Sequence, residues 1–146
     1  MTKVFFYHGA KDRLQAAAAW LLQAYAKHQA VLVYAPDAAI AERLDRLLWT
    51  TPATGFLPHC RADAPLAAQT PLLIASSLDA LPQEERLLNL SNEVPPGFSR
   101  FSELVEIVSG AEEDRLPARD RFKFYRDRGY DLESRKIDQE SLQEPA

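Results

Sequence analysis

A chain of 146 residues, 47 % apolar and 26 % charged, holds material for one compact core and leaves no room for two ordinary domains. Its single cysteine, Cys60, excludes an internal disulfide and a CxxC metal site, and its longest apolar run, 16–22, is far too short to cross a bilayer. Five scattered glycines exclude both GxGxxG and GxxxxGKS/T phosphate loops, and no signal-peptide pattern opens the chain, so a reducing, cytoplasmic setting is expected. The net charge of −4 argues against a general nucleic-acid coat, but it is unevenly spread. Residues 115–128 hold Arg115, Arg119, Arg121, Lys123, Arg126 and Arg128 against Asp120 and Asp127, a +4 island that leaves −8 for the rest. Such an island suits one local anionic partner better than a long polyanion.

In chain order, 3–7 (KVFFY) is a short β-rich run that predicts a buried strand. Asp12 precedes 13–28, where Leu14, Ala17, Leu21 and Ala24 recur at helical spacing. A second buried strand is expected at 30–35 (AVLVYA). Pro36-Asp37 then stops it and caps a helix over 38–49, with Ile40, Leu44, Leu47 and Leu48 on its apolar side. Strand, helix, strand, helix with short connections predicts an α/β protein with a parallel sheet covered by helices. The stretch 50–70, with Pro52, Gly55, Pro58 and Pro65, reads mostly as loop and leaves room for a short edge strand at 56–57. Further strands are expected at 72–75 and 87–90, while 103–108 (ELVEIV) fits a strand or the end of a helix, with strand the preferred reading. A final helix starts around Glu112, Glu113, Asp114 and Pro117 and runs to about Arg128, with Gly129 at its C-terminal cap. One domain over 1–132 is expected, followed by a polar, poorly ordered tail over 133–146.

The chemistry-bearing residues are sparse. His8, His28 and His59 lie far apart, and adjacent His59-Cys60 is poor chelate geometry, so neither a metal, a cofactor nor a Cys–His nucleophile is expected. Ser76-Ser77 follows a strand where α/β proteins often bind ligands, though without glycines that let a phosphate approach the backbone. Trp49 and Phe56 stand where a helix gives way to irregular chain. They fit an apolar protein–protein patch, or equally a return into the core. On the last helix, Arg119, Phe122, Lys123 and Arg126 share one narrow face, which Arg115 continues if the first turn forms at or before Leu116. A solvated stripe is one reading. The scarcity of acidic neighbours and the aromatic in its middle also suit an acidic peptide with a bulky apolar residue, or single-stranded nucleic acid stacking on Phe122.

Two stretches carry a resemblance. LDRLLWTTPATGFLPH (44–59) and RDRFKFYRDRGYDL (119–132), with the opening KVFFY and the order of elements, resemble the chi-subunit family of bacterial DNA polymerase III over about 1–132. Only those two stretches are specific; 66–111 agrees by order of elements. The resemblance implies a three-layer α/β/α fold with a central, mostly parallel sheet, Rossmann-like but without a phosphate-binding loop. It implies a non-catalytic accessory subunit of the polymerase complex in DNA replication. Such a subunit joins the clamp loader through the psi subunit and grips the acidic C-terminal tail of single-stranded-DNA-binding protein, meeting DNA only indirectly and no membrane. By the same resemblance Trp49 and Phe56 match the psi-facing positions. Arg119, Phe122, Lys123 and Arg126 match the tail-binding helix, with Arg115 and Val108 as neighbours. Phe122 stands where the family commonly has Tyr, and Glu112, Glu113 and Asp114 lie beside the site. Two other readings stay open: a direct single-strand binder through 115–128, and a small nucleotide-binding enzyme using the sheet end near Ser76.

Overall fold

The computed structural model describes residues 2–50, 59–61, 72–78 and 85–136. Chain order there is β1 (Lys3–Ala10), α1 (Arg13–Ala26), β2 (Val31–Tyr34), α2 (Ala38–Thr50), β3 (His59–Arg61), β4 (Leu72–Ala75), β5 (Arg86–Asn89), a 3-10 turn (Phe98–Arg100), β6 (Glu103–Ser109), α3 (Glu112–Asp127) and β7 (Asp131–Lys136). The strands form one sheet in the order β3-β4-β2-β5-β6-β1-β7, and every pairing is parallel.

Register explains the layers. Leu73, Leu32, Leu87, Leu104, Val4 and Leu132 are successive partners across six strands, so one apolar row crosses the sheet on a single face. That face is covered by α3 and the 3-10 turn, whose Ala118, Tyr125 and Phe98 join the row in one buried cluster. One residue further along each strand, Ile74, Val33, Leu88, Val105 and Phe5 make the opposite row. There α1 and α2 pack Leu14, Leu21, Leu44 and Leu48. The expected three-layer α/β/α arrangement is what forms, with strands buried on both sides and therefore nearly continuous in apolar residues.

The helix ends follow from local chemistry. Asp12 accepts from the Gln15 N–H at 3.0 Å, and Asp37 from the Ala39 N–H at 2.9 Å, so both acids satisfy donors at helix N-termini. α1 and α3 stop in the same way. The Gln29 N–H returns to the Ala24 carbonyl, as the Tyr130 N–H returns to that of Tyr125, around a residue of positive φ. In α3 that residue is Gly129 (φ 81°), as the sequence led us to expect; in α1 it is His28 (φ 58°), outside the helix the sequence reading had carried through 28. Because a β-carbon disfavours the left-handed region, His28→Gly should stabilise the protein by about 0.5–1 kcal/mol and Gly129→Ala should cost about 1 kcal/mol. Urea unfolding of the two variants checks the opposite signs.

One strand adds to the expected set, and one expectation needs correcting. The edge strand of the middle stretch is at His59–Arg61, pairing with Leu72–Ile74, while 56–57 lies outside the described residues. Residues 133–136, assigned by sequence to a polar tail, are strand. β7 pairs Lys3 with Asp131 through to His8 with Lys136, because the outer side of β1 offers a free row of backbone donors and acceptors.

Candidate functional site: the outward face of the last helix

α3 begins five residues before Pro117, so Arg115 is on the helix and in line with Arg119, Phe122 and Arg126. Ala118, Arg121 and Tyr125 face inward, and this inward side determines how the outward one is held. Glu106, in the middle of β6, is fully buried. Its Oε2 accepts from Arg121 Nε at 3.0 Å, Tyr125 OH at 2.8 Å and Asn89 Nδ2 at 3.0 Å. Burial and the Glu106 carboxylate push the Tyr125 hydroxyl far above the usual tyrosine range, so it stays a donor. Asn89 lies beside Glu106 in register, and its Oδ1 accepts from the Ser91 N–H and hydroxyl. α3 is thus bolted to the sheet by charge-assisted bonds as well as by apolar contact.

Arg13 completes the assembly from the other face. Its guanidinium donates to the carbonyls of Ile107, Asn89 and Ser91 at 2.9–3.1 Å and lies 4.0 Å from Glu106. Burial lowers the Arg13 pKa, and the Glu106 charge opposes that shift. The neighbours β1 and β6 send their following helices to opposite faces, the point at which nucleotide-binding sheets open a crevice. Here the Gly110 N–H bonds to the Ala10 carbonyl, and Arg13 caps the ends of β5 and β6.

The structure redistributes the basic island. Arg121, 3 % exposed, is spent on Glu106 and is unavailable to a partner. Arg128 stacks over Phe124 at 4.2 Å, and Arg126 sits 3.5 Å from Asp127. Arg115, Arg119 and Lys123 are exposed, and among the described residues none forms an ion pair or hydrogen bond with them. Phe122 is half-buried between them, its ring 5.1 Å from Phe6 in an edge-to-face contact. Val108 is 5 % exposed and packs inside the α3 cluster, so it supports this face from beneath and offers a ligand almost no surface.

Trp49, at the end of α2, is 55 % exposed. It lies on the α1–α2 side of the sheet, away from α3, and Phe56 lies outside the described residues. Ser76 and Ser77 are exposed beside a cavity of about 370 Å³ also lined by Tyr34, Gly97 and Arg100. The Arg100 guanidinium is occupied with the Leu78 and Gly97 carbonyls. Among the described residues no group of three His, Cys, Asp or Glu could hold a metal ion, and no helix is long and apolar enough to cross a membrane.

With this geometry in place, comparison with known sequences is informative. Residues 1–133 match the family described as "DNA polymerase III chi subunit, HolC". The chain belongs to that family. It is similar to the DNA polymerase III subunit chi of Pseudomonas aeruginosa, 30 % identical over 94 % of this chain and 98 % of the relative. It is also similar to the subunit of the same name from Escherichia coli, 32 % identical over 70 % of each chain. The Haemophilus influenzae subunit chi is 26 % identical over 73 % of this chain and 75 % of its own. The chain is therefore a chi-family accessory component of DNA polymerase III in DNA replication. Glu106 and Arg13, which lie outside the two motif stretches, fall inside the matched region.

Proposed function

We propose that this chi-family chain is a non-catalytic tether. Through the outward face of α3 it holds the acidic C-terminal tail of single-stranded-DNA-binding protein; through the Trp49 region it joins the psi subunit and thereby the clamp loader. The observation that carries the reading is the α3 face itself. Three cations without ion-pair partners among the described residues, Arg115, Arg119 and Lys123, neighbour a partly buried aromatic, Phe122, on a helix fixed to the sheet. The cations steer an anionic peptide and pair with its carboxylates, and the ring accepts an apolar terminal side chain. The absence of catalysis belongs to the same proposal. It is supported by Arg13 and the Ala10–Gly110 bond occupying the sheet end at which a nucleotide would otherwise sit.

Each contact is modest, so one tail should bind at roughly micromolar strength, and useful affinity should come from many tails displayed together on coated DNA. The test is a calorimetric titration of the chain with a peptide of its own single-strand-binding protein's tail, at low and raised salt. Roughly micromolar binding that weakens with salt is expected. Absent peptide binding, or tight salt-sensitive binding of a bare single-stranded oligonucleotide, overturns the proposal.

A further inference from the structure

α3 presents cations on its outward face, and the chain continues past β7 into a segment of opposite charge. Residues 137–146 (IDQESLQEPA) contain Asp138, Glu140 and Glu144, no Lys or Arg, and the apolar side chains of Ile137 and Leu142. They are the same chemical kind of peptide as the partner argued above: acidic, with a bulky apolar residue among the charges.

β7 determines where that segment starts. It is the edge strand beside β1, and its last residue, Lys136, is the register partner of His8. Leu132 lies in the α3 cluster, so the strand adjoins the face that α3 covers. Phe122 packs on Phe6 of β1, while Phe124 packs on Phe98 of the 3-10 turn; the Phe122 side of α3 is therefore the side nearer the β1–β7 edge. Because α3 starts just after β6 and β7 runs parallel to β6 and β1, Lys136 stands at the end of the sheet where α3 begins. Arg115 to Arg126 spans about 16 Å along the helix at 1.5 Å per residue. Ten extended residues reach about 33 Å, enough to cover that face.

We propose that residues 137–146 dock on the basic face of α3 in cis, their carboxylates on Arg115, Arg119 and Lys123 and Leu142 against Phe122. An external acidic tail must then displace them. This rests on reading α3 as an acidic-peptide site. A segment tethered a few residues away acts at an effective concentration of the order of millimolar, so contacts too weak to hold a free peptide still occupy the face for part of the time. The consequence is a threshold: single tails compete poorly, whereas an array of tails wins.

The test compares the full chain with its variant Asp138→Asn/Glu140→Gln/Glu144→Gln, both labelled with nitrogen-15. The titrant is the synthetic pentapeptide Asp-Asp-Asp-Asp-Phe. We expect the variant to bind the peptide about three- to tenfold more tightly. Before any peptide is added, amide signals of α3 from Arg115 to Arg126 should differ between the two proteins, independently of protein concentration. Coincident α3 signals overturn the proposal, as does an equal affinity for a peptide that both proteins bind. A difference that appears only on concentrating the sample assigns the contact to a second copy and overturns the cis form. If neither protein binds the peptide while the α3 signals differ, docking in cis is upheld and the acidic-tail function fails; the two readings fail separately.

Discussion

Glu106→Gln should lower the unfolding free energy by about 3 kcal/mol or more, although it changes neither the size nor the shape of the side chain. The carboxylate is fully buried, accepts three hydrogen bonds on one oxygen, and is the counter-charge for Arg121 and for Arg13 at 4.0 Å. Removing the charge leaves Arg121 buried at 3 % exposure with an uncompensated cation, the situation in which breaking a buried pair costs about 3–5 kcal/mol. The pair as a unit is worth much less than that. The double variant Glu106→Leu/Arg121→Met should therefore be more stable than the sum of its single changes implies, by about 1–3 kcal/mol of coupling. Urea unfolding of the wild type, Glu106→Gln, Glu106→Leu, Arg121→Met and the double variant measures both numbers. A Glu106→Gln loss below 1 kcal/mol would show that the network does not hold α3 in place.

Arg119→Ala should weaken binding of the acidic tail peptide about tenfold or more while leaving stability within about 0.5 kcal/mol. A charge-assisted hydrogen bond contributes roughly 1.5–3 kcal/mol where the partner covers it, which sets the size of the loss. The unchanged stability follows because Arg119 is exposed and pairs with none of the described residues. Raised salt should weaken the wild type more than the variant. Phe122→Ala should lose peptide affinity as well, but its ring also packs on Phe6, so it must be measured where the variant is fully folded. Trp49→Ala should leave the peptide affinity alone, since α2 and α3 lie on opposite faces of the sheet. Calorimetry on these three variants separates the possibilities; an unaltered affinity in Arg119→Ala would remove this helix face from the binding site.

Much of this arrangement was legible in the residues. Strands such as AVLVYA, buried on both faces, are short apolar runs, and Leu14, Ala17, Leu21 and Ala24 mark the inner side of α1 by spacing alone. The outward face of α3 was legible too, because 100° per residue places Arg119, Phe122, Lys123 and Arg126 together. Arg121 was not. In the sequence it is one more cation in a basic island, and its partner lies fifteen residues upstream in another element. A signal for it did exist: Glu106 is an acid in the middle of ELVEIV, and a charge inside an otherwise apolar strand needs a buried counter-charge. β7 escaped for a different reason. DLESRK is an edge strand with most of its residues at least partly open to water, so apolar alternation has nothing to mark, and only the backbone bonds to β1 reveal it.

The place of β1 in the sheet also constrains how the molecule comes into being. Both neighbours of the opening strand, β6 and β7, are encoded about a hundred residues or more downstream, and Thr2 hydroxyl bonds to the Phe101 carbonyl 99 positions away. On a ribosome, then, Val4 and Phe6 emerge before their partners and wait unpaired while β2, β4 and β5 can already assemble with α1 and α2. The half of the molecule carrying the α3 face closes last, once β6, α3 and β7 have been made, because the loop closure it requires is the longest among the described strand pairings. Premature arrest of translation before residue 103 would therefore release a chain in which β1, with its Val4, Phe5 and Phe6, is a bare strand, the kind of species that proteases and chaperones are there to remove.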